Sequence, residues 1–113
     1  MTAALLHATL GRGPTPGRWR LLIPATVGAA GEEIVWRWGA LAGTAPVLGW
    51  AGALIASTLG FAFRHARPPD RAVCAYLLLG GAFGAVFLAT GRLAAAIAAH
   101  AAYNALVLVR ASA

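Results

Sequence analysis

The sequence predicts an all-α, polytopic membrane protein, a compact bundle of about four transmembrane helices forming one domain. Three observations lead there. Hydrophobic residues make up 60% of the 113 and charged residues only 11%, where a soluble domain carries about 25% charged. Four apolar runs follow one another, each near the roughly 20 residues that cross a bilayer. Apart from Arg37, the nine arginines that set the net charge of +6 stand outside these runs or at their ends.

The elements follow in order. Residues 1–17 contain Gly11, Gly13, Pro14, Pro16 and Gly17, too many breakers for a span, and Leu5 to Leu10 is too short for a signal-peptide core. They read as a flexible cytoplasmic arm ahead of a core at 18–113. The first span covers about 18–43, the second 46–65, the third 72–91 and the fourth 93–109. All four must be helices, because backbone facing lipid has to satisfy its own hydrogen bonds. Gly43-Thr44-Ala45-Pro46 is expected to turn, Pro68-Pro69-Asp70 stops a helix, and Gly91-Arg92 makes a short hairpin. Small-xxx-small pairs at Gly39/Gly43 and Gly80/Gly84, with an alanine ridge from Ala94 to Ala102, predict close packing around a central fourth helix. Cys74 is the only cysteine. It has no disulfide partner and reads as a core thiol.

Charge orients the bundle. With four spans, Arg12, Arg18, Arg20, Arg64, Arg67, Arg71 and Arg110 collect on one side and Arg92 alone on the other. The positive-inside rule then makes both termini cytoplasmic. The arginines form no basic patch and there is no lysine, so the bilayer, and no nucleic acid, is the partner that the charge implies.

Against that apolar background stand a few polar groups. Glu32-Glu33-Ile34-Val35-Trp36-Arg37 lies inside the first run, and ionisable side chains at membrane depth mark a functional site unless they pair or line a wet cavity. Glu33 and Arg37 are four residues apart, share a helix face and can neutralise each other, a structural role. Glu32, about 100° round the helix, faces a different neighbour. His65 follows Phe61 by four residues, and Asn104 follows His100 by four, so each pair shares a face. Taken alone, His65 is an interfacial histidine and Asn104 a helix-to-helix tie. Four such groups in one small bundle point instead to chemistry. Rise arithmetic leaves one tension: with a turn at Gly43 to Pro46, Glu32 lies near mid-membrane and His65 near the edge, a mismatch of roughly 10 Å. For the two to meet, the first helix must shift or the second must begin after Pro46.

The order Glu-Glu-xxx-Arg, then Phe-xxx-His, then His-xxx-Asn, each on its own apolar run, resembles the CPBP intramembrane proteases. These are the CAAX-processing, bacteriocin-processing and self-immunity proteins also called the Abi family. The resemblance covers Gly31 to about Leu106. It implies that Glu32 is the catalytic glutamate, His65 its partner in activating water, and His100 with Asn104 the pair that stabilises the oxyanion. Glu33, Arg37 and Phe61 support them. It further implies an endopeptidase acting on a membrane-associated protein or peptide, an integral protein of the bacterial inner membrane. Peptide hydrolysis does need a base for water and donors where negative charge develops. Glu32, His65 and His100 also make up a His2Glu set of the kind that binds zinc, but there is no His-Glu-xx-His helix, and the reading preferred is one without a metal cofactor. Trp38 stands where the family usually has glycine, and the sequence carries the catalytic core without the extra preceding spans usual in family members, which leaves a minimal form, a helper subunit or homo-oligomer, and a true start further upstream all open. A small multidrug or proton-coupled exporter would share the length and the membrane glutamate but leaves His65, His100 and Asn104 without a task. An inactive immunity or assembly factor of the same fold is the other alternative.

Overall fold

The computed structural model describes residues 18–112, with side chains from 20 to 110; the arm read at 1–17 lies outside them. A 3₁₀ turn, Arg18–Leu21, leads into α1, Leu22–Glu33. The chain continues without a break through a π-helical segment, Ile34–Leu41, into α2, Ala42–His65. After a short loop come α3, Ala72–Thr90, and α4, Leu93–Ser112. Among the described residues three helices are long and apolar enough to cross a membrane, the first being the 44-residue stretch Leu22–His65. That stretch has two legs. Gly49, at φ 73° and ψ 166°, leaves the helical region, and 50–65 folds back along 32–48, so that Glu32 meets His65 and Gly60 meets the Trp36 ring. With α3 and α4 the legs make the expected four-helix bundle.

The expected turn at Gly43 to Pro46 is therefore displaced to Gly49. Pro46 removes one backbone donor, which a membrane helix tolerates when nearby groups compensate. Only a residue without a Cβ adopts the Gly49 conformation at low cost. This shift removes the depth mismatch. Glu32 lies 17 residues before Gly49 and His65 lies 16 after it, which at 1.5 Å per residue puts them about 25 and 24 Å from the bend, level with each other.

The π-helical segment has an equally local cause. Ala25, Ala29, Glu33, Arg37, Leu41 and Ala45 are all buried, a stripe with a period of four. In an α-helix every fourth residue drifts about 40° round the axis, so a stripe this long would wind off the core. The wider turn, in which the Ala42 N–H reaches the Arg37 carbonyl five residues back, rotates it back again. Glu33 and Arg37 thereby both point inward.

Packing partly departs from the small-residue pattern. Gly80 and Gly84 admit the Phe61 ring and the Leu54 side chain against the α3 backbone, a Cβ on Gly80 falling 2.8 Å from Phe61. Gly39 and Gly43, by contrast, face outward with no neighbouring helix against them. The fourth helix is not central: Ala96, His100, Asn104 and Leu108 turn inward while Ala94, Ala98 and Ala102 are exposed. Cys74 is exposed rather than core, and Trp38, at 67% exposure, points away from the bundle. Ile23, Val27, Val47, Ile55, Leu78 and Val109 join it in an outward apolar mantle, which is what lipid rather than water accommodates. The chain is an integral membrane protein. The third acid, Asp70, accepts the Ala72 N–H at 2.9 Å and so caps α3, while Gly91, at φ 66°, closes α3 with its N–H on the Phe87 carbonyl.

Candidate active site

Two imidazoles converge on Glu32. Its Oε1 lies 3.2 Å from His65 Nε2 and its Oε2 3.5 Å from His100 Nε2. The first leg supplies the carboxylate, the second leg one imidazole and α4 the other. Glu32 keeps 18% side-chain exposure, while the two histidine side chains keep 6% and 4%.

Each imidazole is held from behind. His65 Nδ1 is 2.7 Å from the Phe61 carbonyl, and since a carbonyl only accepts, the hydrogen is on Nδ1. His100 Nδ1 is 2.7 Å from Glu33 Oε2 and donates to that carboxylate. Neutral rings would therefore turn bare Nε2 atoms toward an ionised Glu32, acceptor against acceptor. A proton between Glu32 and one imidazole removes the conflict at that contact. Glu33 and Arg37 are fully buried with Nε 2.9 Å from Oε1 and cancel each other's charge. One proton shared among Glu32, His65 and His100 then makes the whole cluster neutral, the state least costly to bury.

Aromatic rings hold this arrangement. Phe61 lies 4.5 Å from the His65 ring, meets the His100 ring edge-on at 6.1 Å and sits under the Arg37 guanidinium at 5.2 Å, a cation–π contact. Tyr76 stacks on His65 at 4.9 Å and Phe83 on His100 at 4.5 Å. Asn104 stands one turn beyond His100 and donates from Nδ2 to the Ala25 carbonyl at 3.2 Å. It ties α4 to α1 with one of its two N–H groups. His100 and Asn104 both line a small cavity of about 10 Å³ together with Phe61, Tyr76, Leu79, Phe83 and Tyr103.

All four residues read as catalytic from sequence thus lie in one neighbourhood, with Phe61 against both histidines and under Arg37. Sequence reasoning missed the second bond of Glu33, the one to His100, because a partner 67 residues away leaves no local spacing to read. It also missed Tyr76 and Phe83. Their signal was present, as two of the three aromatic residues on the third helix, Phe87 being the other, but nothing in sequence tells which ring faces inward. Among the described residues no three His, Cys, Asp or Glu side chains are grouped as a metal ion would require. The chemistry of the donor set is nonetheless compatible with one, since both Nδ1 atoms are held by acceptors in the manner of ligating histidines.

A family model for type II CAAX prenyl endopeptidases, Rce1-like, matches residues 14–106. The chain belongs to this Rce1-like family. The match spans the arm's end, both legs, α3 and most of α4, and takes in every residue of this site. No curated protein and no solved structure matches the chain. Family membership supports CAAX protease activity in general and a membrane-associated protein as substrate.

Proposed function

We propose that this Rce1-like protein is an intramembrane endopeptidase of the glutamate type. The observation that carries the reading is Glu32 set between two imidazoles whose outer nitrogens are both fixed. In this reading Glu32, poised by His65, takes a proton from water as the water oxygen adds to the scissile carbonyl carbon. The carbonyl oxygen gains the charge and is met by His100 Nε2–H and the second N–H of Asn104. The C–N bond then breaks as the proton passes to the departing nitrogen, leaving a carboxylate and an amine. Glu33 keeps His100 oriented by accepting its Nδ1–H, much as a carboxylate steadies a catalytic histidine, and Arg37 balances Glu33.

No cofactor enters this scheme. A second reading rests on the fixed tautomers: a divalent metal such as zinc would be held by Glu32, His65 and His100 and would polarise the carbonyl or its water. The experiment is cleavage of a farnesylated peptide ending in a CAAX tetrapeptide by the full-length protein in liposomes. Glu32→Gln is expected to abolish cleavage at unchanged abundance, and chelators to leave the wild type active. Chelator-sensitive activity restored by zinc would replace the metal-free scheme with the second reading. A Glu32→Gln variant that still cleaves would overturn the assignment of the base.

The membrane is proposed to be the bacterial inner membrane, with both termini and the 66–71 loop in the cytoplasm. The remaining arginines of the described bundle support this, Arg20, Arg64, Arg67, Arg71 and Arg110 lying toward one end and Arg92 at the other.

A further inference from the structure

Tyr76 is 3% exposed, yet its hydroxyl makes no hydrogen bond among the described residues. A buried phenol ordinarily has a partner, and leaving one unmet costs stability. The ring cannot easily turn away, being stacked on His65 at 26° and set edge-on to Phe61 at 6.3 Å. Gly80, one turn along α3, lets Phe61 close in beside it. The structure therefore holds an unsatisfied donor in a fixed orientation inside its polar centre, a departure from good packing of the kind found at working sites.

The cavity beside Tyr76 indicates its target. At about 10 Å³ it has room for about one oxygen-sized group. Its polar walls are His100, Asn104, Tyr76 and Tyr103, while Glu32 and His65 are not among its lining residues. Tyr76 thus bridges two sides of the site, its ring against His65 and its place in the cavity beside His100 and Asn104. His100 Nδ1 is committed to Glu33 and one Asn104 N–H to Ala25, so Asn104 has one N–H left to offer and His100 has only its Nε2 position.

We infer that the Tyr76 hydroxyl is a third donor to the substrate's carbonyl oxygen, acting with His100 and Asn104. This rests on the protease reading above. As water adds to the carbonyl carbon, the carbonyl π electrons become a lone pair on oxygen, and the Tyr76 O–H shortens its hydrogen bond to that oxygen. The phenol keeps its proton throughout. No described protein group meets the hydroxyl, and its partner in this role arrives with the substrate.

The test is Tyr76→Phe in the full-length protein, which keeps the ring and removes only the hydroxyl. With the farnesylated CAAX peptide in liposomes, kcat is expected to fall about 100-fold with KM little changed, the loss seen when one oxyanion donor is removed. The melting temperature is expected to stay level or rise, since no resting bond is lost. Unchanged kcat, a loss carried in KM alone, or a clear drop in melting temperature would each overturn this assignment while leaving the protease reading standing. A wild-type protein that leaves the peptide intact would overturn the protease reading and this inference with it.

Discussion

Replacing Arg37 by leucine removes the cation from a pair that water does not reach. Both side chains are at 0% exposure and Nε stands 2.9 Å from Glu33 Oε1. Breaking a buried pair by deleting one partner costs about 3–5 kcal/mol, because the other charge stays buried without its counter-ion. Two features move the expectation to the low end. Glu33 Oε2 keeps the 2.7 Å bond from His100 Nδ1, and leucine refills part of the space over Phe61 that the guanidinium occupies. About 3 kcal/mol, at roughly 4 °C per kcal/mol for a domain of this size, corresponds to a melting temperature lower by roughly 12 °C. Tryptophan fluorescence of the detergent-solubilised protein during heating reads this directly. Adding Glu33→Gln to Arg37→Leu removes the stranded charge, and most of the lost stability is expected to return. Cleavage is not expected to return with it, because His100 then faces a neutral amide. An Arg37→Leu protein that melts within roughly 2 °C of wild type would refute the burial argument. A double variant less stable than either single one would refute the pairing.

Gly80→Ala and Gly43→Ala make a matched pair of substitutions. The new Cβ at Gly80 would meet Phe61 at 2.8 Å, and overpacking there should cost about 1–3 kcal/mol and lower activity by tilting the ring beneath both histidines. At Gly43 nothing lies within 4 Å, so the same change should be neutral or stabilising by up to about 1 kcal/mol; melting curves of the two proteins, side by side, check the contrast. Gly49→Ala also enters open space, but at φ 73° the cost is conformational, about 1–3 kcal/mol, and should appear as lost stability with a misaligned Glu32 and His65; an unaffected variant would mean that the bend can move. Reporter fusions at Arg110 and Arg92 should label opposite compartments, and matching labels would sink the orientation.

The two kinds of information divide along physical lines. Composition and the spacing of apolar runs were enough for a helical membrane bundle, because a bilayer leaves a backbone few other options. The i,i+4 spacings carried the Glu33–Arg37 pair and the shared face of His100 and Asn104, since both depend on nothing beyond one helix. The place of the bend was not legible: Pro46 and Gly49 are both breakers, and only the packing of the second leg against the first shows that Gly49 is the residue that leaves the helix. The inward course of the first leg was hidden too. A stripe with a period of four looks like an ordinary helical face over two turns, and the wider turn at Ile34–Leu41 that keeps it facing the core answers to neighbours far away in sequence. For the same reason Gly39 and Gly43 read like Gly80 and Gly84 in the sequence, yet only the second pair has another helix against it. The sequence by itself singled out the polar residues that meet inside the bundle, because charge at membrane depth is too costly to be incidental. Only the tertiary structure decided how they are wired, with Glu32 between two imidazoles, Glu33 behind His100 and Tyr76 beside them, because those contacts join helices whose rotation and depth are set by packing.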